Sequence, residues 1–228
     1  MRKKVIFIRH GEALHNTDPA LKLTAFDAKL TEKGFNDAKS AGQQLIGFTP
    51  DLIIVSPLER TLQTATAAFE HYIGKVPFIA NESCRESLSA NKCNHRGCIS
   101  EKKIRFPHIS FDGLVEEDEL RGADLRDTIE DQIGAMMDRA QSFLSFVESR
   151  PELNIIVVSH GRFMTALTAS VTGINKHHAF MISNYKNGEL LRLEYGPAGR
   201  PMNANREFVW NAFHDIKING TMTELEWV

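Results

Sequence analysis

No apolar run in this chain of 228 residues is long enough to cross a bilayer. Val5-Ile6-Phe7-Ile8 is typical, and Arg9 cuts it short. The start, Met1-Arg2-Lys3-Lys4, has the charge of an export signal but lacks the apolar region of about 7–15 residues that must follow. Cysteine is scarce: Cys84, Cys93 and Cys98, without an export signal, do not make a disulfide framework. Charge of one sign is lacking as well. With 27 Lys and Arg against 29 Asp and Glu the formal net charge is −2, so nothing global draws the chain to nucleic acid or an anionic membrane. Any positive field must be local. Internal repeats and low-complexity segments are absent too. The expectation is a cytoplasmic protein with no nucleic-acid and no membrane partner, its oligomeric state left open.

What is present is an ordinary globular composition, 42% hydrophobic and 25% charged, over a length that suits one domain, residues 1–228, with a substantial insertion. Short apolar runs alternate with helical periodicity. Lys4–Ile8, Asp51–Val55, Val76–Ala80 and Asn154–Val158 read as strands, as do Met181–Ser183 and Glu189–Glu194 around a Lys186-Asn187-Gly188 turn. A helix opens at Leu30-Thr31-Glu32, with Thr31 as N-cap and Phe35, Ala38, Gly42 and Leu45 on one face. Ser56-Pro57-Leu58-Glu59 carries three helix-start signals, an N-cap serine, a proline at the first position and a glutamate three residues on. Ile129, Ile133, Met136, Ala140, Phe143 and Val147 mark a long amphipathic helix, with Asp127 and Glu130 suited to cap it. This rhythm predicts a three-layer α/β/α sandwich around a mostly parallel sheet. The aperiodic stretch at about 83–126 is predicted to be an insertion over the carboxyl ends of the strands, and 197–228 a tail.

The residues just past the strands carry the chemistry. The first strand runs into Arg9-His10-Gly11-Glu12, with Asn16 nearby; the second leads to a helix whose first turn holds Arg60; the fourth runs into Ser159-His160-Gly161-Arg162. Ligands of open parallel sheets bind outside the carboxyl strand ends. Helix N-termini there add N–H donors and a favourable dipole. Two histidines and at least two arginines converge on one edge of a protein that is not itself cationic, which suits a phosphate.

These residues resemble the histidine phosphatase superfamily, the group that includes cofactor-dependent phosphoglycerate mutases. Arg9-His10-Gly11-Glu12 with Asn16 is similar to the family's RHG signature and phosphate-contacting asparagine. Leu30-Thr31-Glu32-Lys33-Gly34 resembles its LTxxG helix start. Ser56 to Ala65 resembles the segment with its second arginine, and Ser159-His160-Gly161 the one with its second histidine. The resemblance implies that His10 is the nucleophile, that His160 assists it, and that Arg9, Asn16 and Arg60 bind the phosphoryl group. It also implies an acid after the third strand, and Cys84-Arg85-Glu86-Ser87 makes Glu86 the candidate, with Glu82 and Glu12 as rivals. The polar stretch Ser89 to Gly97 replaces the aromatic and glycine-rich segment of the mutases and is more similar to a plant and fungal subgroup loosely called mutase-like.

The expected activity is therefore hydrolysis of a small phosphorylated metabolite through a phosphohistidine. A cofactor-dependent mutase and a catalytically silent phosphate-binding protein are the alternatives. No cofactor is expected. No metal is expected either, because Cys93, His95 and Cys98 lack a fourth ligand at a familiar zinc spacing. Lys92 and Arg96 are expected to be solvated, Glu116–Glu119 to form an acidic surface, and His177-His178 to have no role.

Overall fold

The computed structural model describes residues 2–120, 123–124, 128–172 and 185–197, with short strands at 209–211, 217–218 and 221–222. In chain order the elements are β1 (Arg2–Arg9), α1 (Leu14–Thr17), α2 (Leu21–Thr24), α3 (Glu32–Gln43), β2 (Leu52–Val55), α4 (Glu59–Ala68), β3 (Phe78–Ala80), α5 (Ile99–Arg105), β4 (Ile109–Ser110), α6 (Ile129–Ser149), β5 (Asn154–Ser159), α7 (Gly161–Thr172), β6 (Leu190–Pro197) and β7 (Val209–Asn211). The last two strands, Lys217–Ile218 and Thr221–Met222, pair with each other.

The sheet order is β4-β3-β2-β5-β1-β6-β7. Pairing is parallel from β4 to β1 and antiparallel from β1 through β6 to β7. The strands read as unbroken apolar runs because both faces are covered. Successive side chains alternate: Ile6, Ile8, Ile53, Val55, Ile156 and Val158 join Ala41 and Leu45 with Leu62 and Ala65 of α4. Val5, Phe7, Leu52, Ile54, Ile155 and Val157 join Ala140, Phe143 and Val147 of α6 with Phe163 and Leu167 of α7. Each fully buried aliphatic or phenyl side chain contributes about 1.5–3 kcal/mol, so these two clusters hold the strand ends in place. Among the described residues no helix is long and apolar enough to cross a membrane.

Several local expectations need correction. Thr31 does cap α3, its hydroxyl accepting the Gly34 N–H, but Phe35 is partly exposed and Ala38, Ala41 and Gly42 form the buried face. The helix after β2 begins at Glu59 with Leu58 as its N-cap residue, not at Ser56. Ser56 is diverted because its hydroxyl bonds His160 at 2.7 Å, and the distant Asp27 carboxylate accepts the Glu59 N–H at 2.8 Å in its place. Thr128 caps α6, accepting the Asp131 N–H at 3.1 Å; Asp127 lies outside the described residues. The aperiodic stretch also holds more order than expected, since α5 and the edge strand β4 come from it. The tail supplies β7. The predicted strand Met181–Ser183 and His177-His178 lie outside the described residues.

Candidate active site

Three neighbouring strand ends deliver the site. The His10 N–H donates to Ser159 O at 3.0 Å and the Ser56 N–H to Val158 O at 3.0 Å, so the chain segments leaving β1, β2 and β5 are in lateral register. The loop after β1 can turn there only because two glycines meet. A Cβ on Gly11 would lie 2.1 Å from the Gly34 carbonyl oxygen, and one on Gly34 would lie 1.9 Å from that of Glu12. Both glycines of the two N-terminal motifs thus serve one backbone contact between the β1 loop and α3.

His10 is buried, and its Nδ1 lies 2.7 Å from the Gly11 carbonyl oxygen. A carbonyl only accepts, so Nδ1 carries the proton and the lone pair is on Nε2. Arg60 Nε donates to that Nε2 at 3.1 Å, consistent with the same tautomer. Burial, then the charges of Arg60 and Arg9, hold His10 well below the ordinary imidazole range. It is neutral. The His160 ring centroid lies 5.2 Å from that of His10. Burial and Arg60 also keep His160 well below the ordinary range; its Nε2 bonds Ser56 Oγ and its Nδ1 has no hydrogen-bond partner among the described residues.

Arg60 is fully buried at the start of α4. Its other two nitrogens donate to Cys93 O at 2.6 Å and Asn94 Oδ1 at 2.9 Å. All three partners are neutral. A buried cation with no carboxylate in contact among the described residues is costly, so this guanidinium favours an anion beside it. Arg9 adds a second positive charge, held by a bond to the Tyr185 carbonyl. Burial lowers both guanidinium groups from their usual range, and the Glu86 charge is the foremost influence opposing it in each. Asn16 is exposed, its Oδ1 accepting the Ala13 N–H at 2.9 Å.

The three candidate acids separate clearly. Glu12 accepts from the Thr31 hydroxyl at 2.9 Å and pairs with Lys33 at 3.3 Å. Glu82 pairs with Arg85 at 3.0 Å and Arg96 at 2.7 Å. Glu86 accepts the N–H of Ser87 at 2.9 Å and of Arg162, in the first turn of α7, at 3.4 Å. It is part-buried and has no cation in direct contact among the described residues.

Other sequence expectations fail because long-range pairing leaves no local pattern. Arg96 is buried, its guanidinium donating to the carbonyls of Val115, Glu116 and Glu117. Asp118, in the run read as a solvated surface, is buried and holds Arg85 through two bonds of 2.7 and 2.9 Å. Lys92 is exposed, as expected. Two site residues were missed, Asn94 and His15. The imidazole of His15 is buried with its centroid 5.9 Å from that of His10. The only signal for His15 was its place one residue before Asn16. Among the described residues no group of three or more His, Cys, Asp or Glu side chains is placed to hold a metal.

With this geometry in hand, comparison with known proteins adds the ancestry. The histidine phosphatase superfamily (branch 1) matches residues 5–205. A phosphoglycerate mutase-like protein 1 of Arabidopsis thaliana is 31% identical over 71% of this chain and 69% of its own. A 2,3-bisphosphoglycerate-dependent phosphoglycerate mutase of Chlamydia pneumoniae is 25% identical over 87% of this chain and 91% of its own. Among solved structures, a phosphoserine phosphatase mutant of Entamoeba histolytica in complex with phosphoserine superposes with a TM-score of 0.57 at 23% identity, covering 83% of this chain and 89% of that one. At that identity the likeness speaks for the fold.

Proposed function

The chain belongs to the histidine phosphatase superfamily, and from that premise we propose that it is a cytoplasmic phosphomonoesterase acting on a small phosphorylated metabolite through a phosphohistidine at His10. The observation that carries this reading is the His10 tautomer. Nδ1–H is bonded to Gly11, so the Nε2 lone pair is presented to Arg60 inside a buried cationic cluster. The three cysteines are unpaired, as suits a reducing compartment.

In the first step Nε2 attacks phosphorus as the phosphorus–oxygen bond to the leaving group breaks, and the departing oxygen takes a proton from Glu86. In the second, water attacks the phosphorus as the nitrogen–phosphorus bond breaks. Glu86 takes the proton from that water, and phosphate leaves with His10 neutral again. Phosphoryl transfer asks mainly for positioning and for positive charge around the equatorial oxygens; Arg9 and Arg60 are suited to supply the charge, and neutral His160 the positioning. The ion pairs of Glu82 and Glu12 support Glu86 as the proton donor.

A mutase reading draws support from the Chlamydia relative. A mutase must hold a second anionic group. Yet Arg85, Arg96 and Lys102, buried cations of the covering segment, are engaged by protein acids and carbonyls. That favours hydrolysis. The test supplies sugar phosphates, nucleotides, phosphoproteins and 3-phosphoglycerate with a trace of 2,3-bisphosphoglycerate, and follows free phosphate and 2-phosphoglycerate. Phosphate release from a small monoester should exceed isomerisation. Efficient conversion to 2-phosphoglycerate with little free phosphate would reverse the order.

A further inference from the structure

His15 is a buried polar side chain that the mechanism above leaves unused. Its protonation follows from a chain of hydrogen bonds. Asn16 Oδ1 accepts from the Ala13 N–H at 2.9 Å and from Asn187 Nδ2 at 3.4 Å, which fixes the oxygen end of that amide. The amide nitrogen therefore faces His15 and donates to its Nε2 at 3.3 Å. An imidazole that accepts at Nε2 and is neutral carries its proton on Nδ1. His15 Nδ1 is buried and has no hydrogen-bond partner among the described residues.

Burial and neighbouring charge keep the ring in that form. Burial, then Arg60 and Arg9, lower His15 to about 3, so it is an N–H donor and not a cation at any working pH. Its ring centroid lies 5.9 Å from that of His10, whose Nε2 is the attacking nitrogen of the proposed reaction. A buried donor without an acceptor is unfavourable, and beside a nucleophile for phosphorus the acceptor at hand is an anionic oxygen.

We propose that His15 Nδ1–H donates to a non-bridging oxygen of the transferring phosphoryl group, and that Asn16 acts through His15 as a positioning residue that sets its tautomer. This rests on the phosphohydrolase reading. It makes the loop after β1 a neutral donor arm complementing the two arginines: it adds a hydrogen bond to the developing charge without adding a charge that would raise the cost of the buried cluster.

The test uses the full chain with orthovanadate as an oxyanion probe, and the variants His15→Phe, which keeps a ring and removes the donor, and His15→Asn, whose amide N–H falls near the position of Nδ1. His15→Phe should weaken vanadate inhibition by about 10- to 100-fold and lower kcat/KM equally on an aryl and an alkyl phosphate. His15→Asn should restore most of both. Unchanged vanadate binding in His15→Phe, or a loss confined to the alkyl ester, would overturn the phosphoryl contact. Should His15→Phe fail to fold, ring-nitrogen NMR of the wild type decides. A protonated Nδ1 whose signal moves on adding vanadate upholds the proposal, and an Nε2–H tautomer or an unmoved signal overturns it. Asn16→Asp should switch that tautomer by offering an acceptor to Nε2. Absence of phosphate release by the wild type from every substrate would defeat the hydrolase reading, while the vanadate and NMR results would still judge His15.

Discussion

The strand ends and the segment that covers them are built on different physics. The ends of β1, β2 and β5 are held by apolar side chains that alternate between two cores. The covering segment is held by buried ion pairs and charge-to-carbonyl bonds: Arg85 with Asp118, Arg96 with Glu82, Lys102 with Asp27, and Arg139 with Asp124. The first arrangement fixes where a nucleophile sits. The second is specific in geometry but sensitive to the loss of any single partner. The two regions meet at Arg60, which rises from α4 and is gripped by Cys93 and Asn94 from the cover. In the proposed mechanism the phosphoryl chemistry falls to the strand ends, and the leaving-group side to the cover.

The largest expected effect separates those two jobs. An alkyl phosphate leaves as a strongly basic alkoxide and needs a proton, whereas a nitrophenolate scarcely does. Glu86→Gln, on the cover, should lose about 10²–10⁴-fold on a sugar phosphate and far less on nitrophenyl phosphate. Arg60→Ala, on the strand-end side, should lose a similar factor on both, about 10²–10³-fold, because charge stabilisation does not depend on the leaving group. Steady-state kinetics on the two substrates checks this. A parallel loss for Glu86→Gln, with a selective one for Glu82→Gln or Glu12→Gln, would move the acid.

Next in size is the stability of the cover. Asp118→Ala leaves Arg85 buried without its main counter-charge and should cost about 3–5 kcal/mol. Hydrogen exchange should place the lost protection in residues 85–118, with the amides of β1, β2 and β5 still protected. Even loss across both regions would mean that the cover and the sheet are one cooperative unit.

How much of this was legible follows the same division. Short apolar runs and strand-end position pointed to Arg9, His10 and His160 because their placement is a property of a few consecutive residues. Arg60 was found through its helix start, although the cap itself was misread: Ser56 had a partner 104 positions away in His160. Arg96 and Asp118 were misread as solvated for a related reason. Their main partners within the aperiodic segment are 19 to 33 positions distant, and nothing local tells a paired charge from a free one. His15 escaped notice since a lone histidine in a short loop carries no period at all.

A smaller effect divides the regions by pH. His10, His15 and His160 are neutral when folded and titrate near pH 6.5 when unfolded. Below that pH the unfolded chain binds more protons, so stability should fall as pH drops from about 6.5 toward 5, by up to about 1.4 kcal/mol per unit for each histidine. Burial works against the Asp118 carboxylate, but bonds from Arg85 and the Arg96 N–H hold it below its usual value. Its contribution is present above about pH 3.9 and lost only below it. Urea unfolding at several pH values should thus show acid weakening of the histidine cluster first. His15→Asn, which cannot titrate, should reduce the slope; an unchanged slope would mean that His15 does not stay neutral in the folded state.

The most direct measurement is to trap the intermediate. The chain is mixed with a radiolabelled phosphate ester drawn from the release screen, quenched within the first turnovers, and the label is mapped by peptide. The label should be acid-labile, base-stable and confined to the peptide holding His10, and a folded His10→Ala variant should neither acquire it nor turn over substrate. Label on another residue, or brisk hydrolysis by His10→Ala, would contradict the assignment of His10 as the nucleophile.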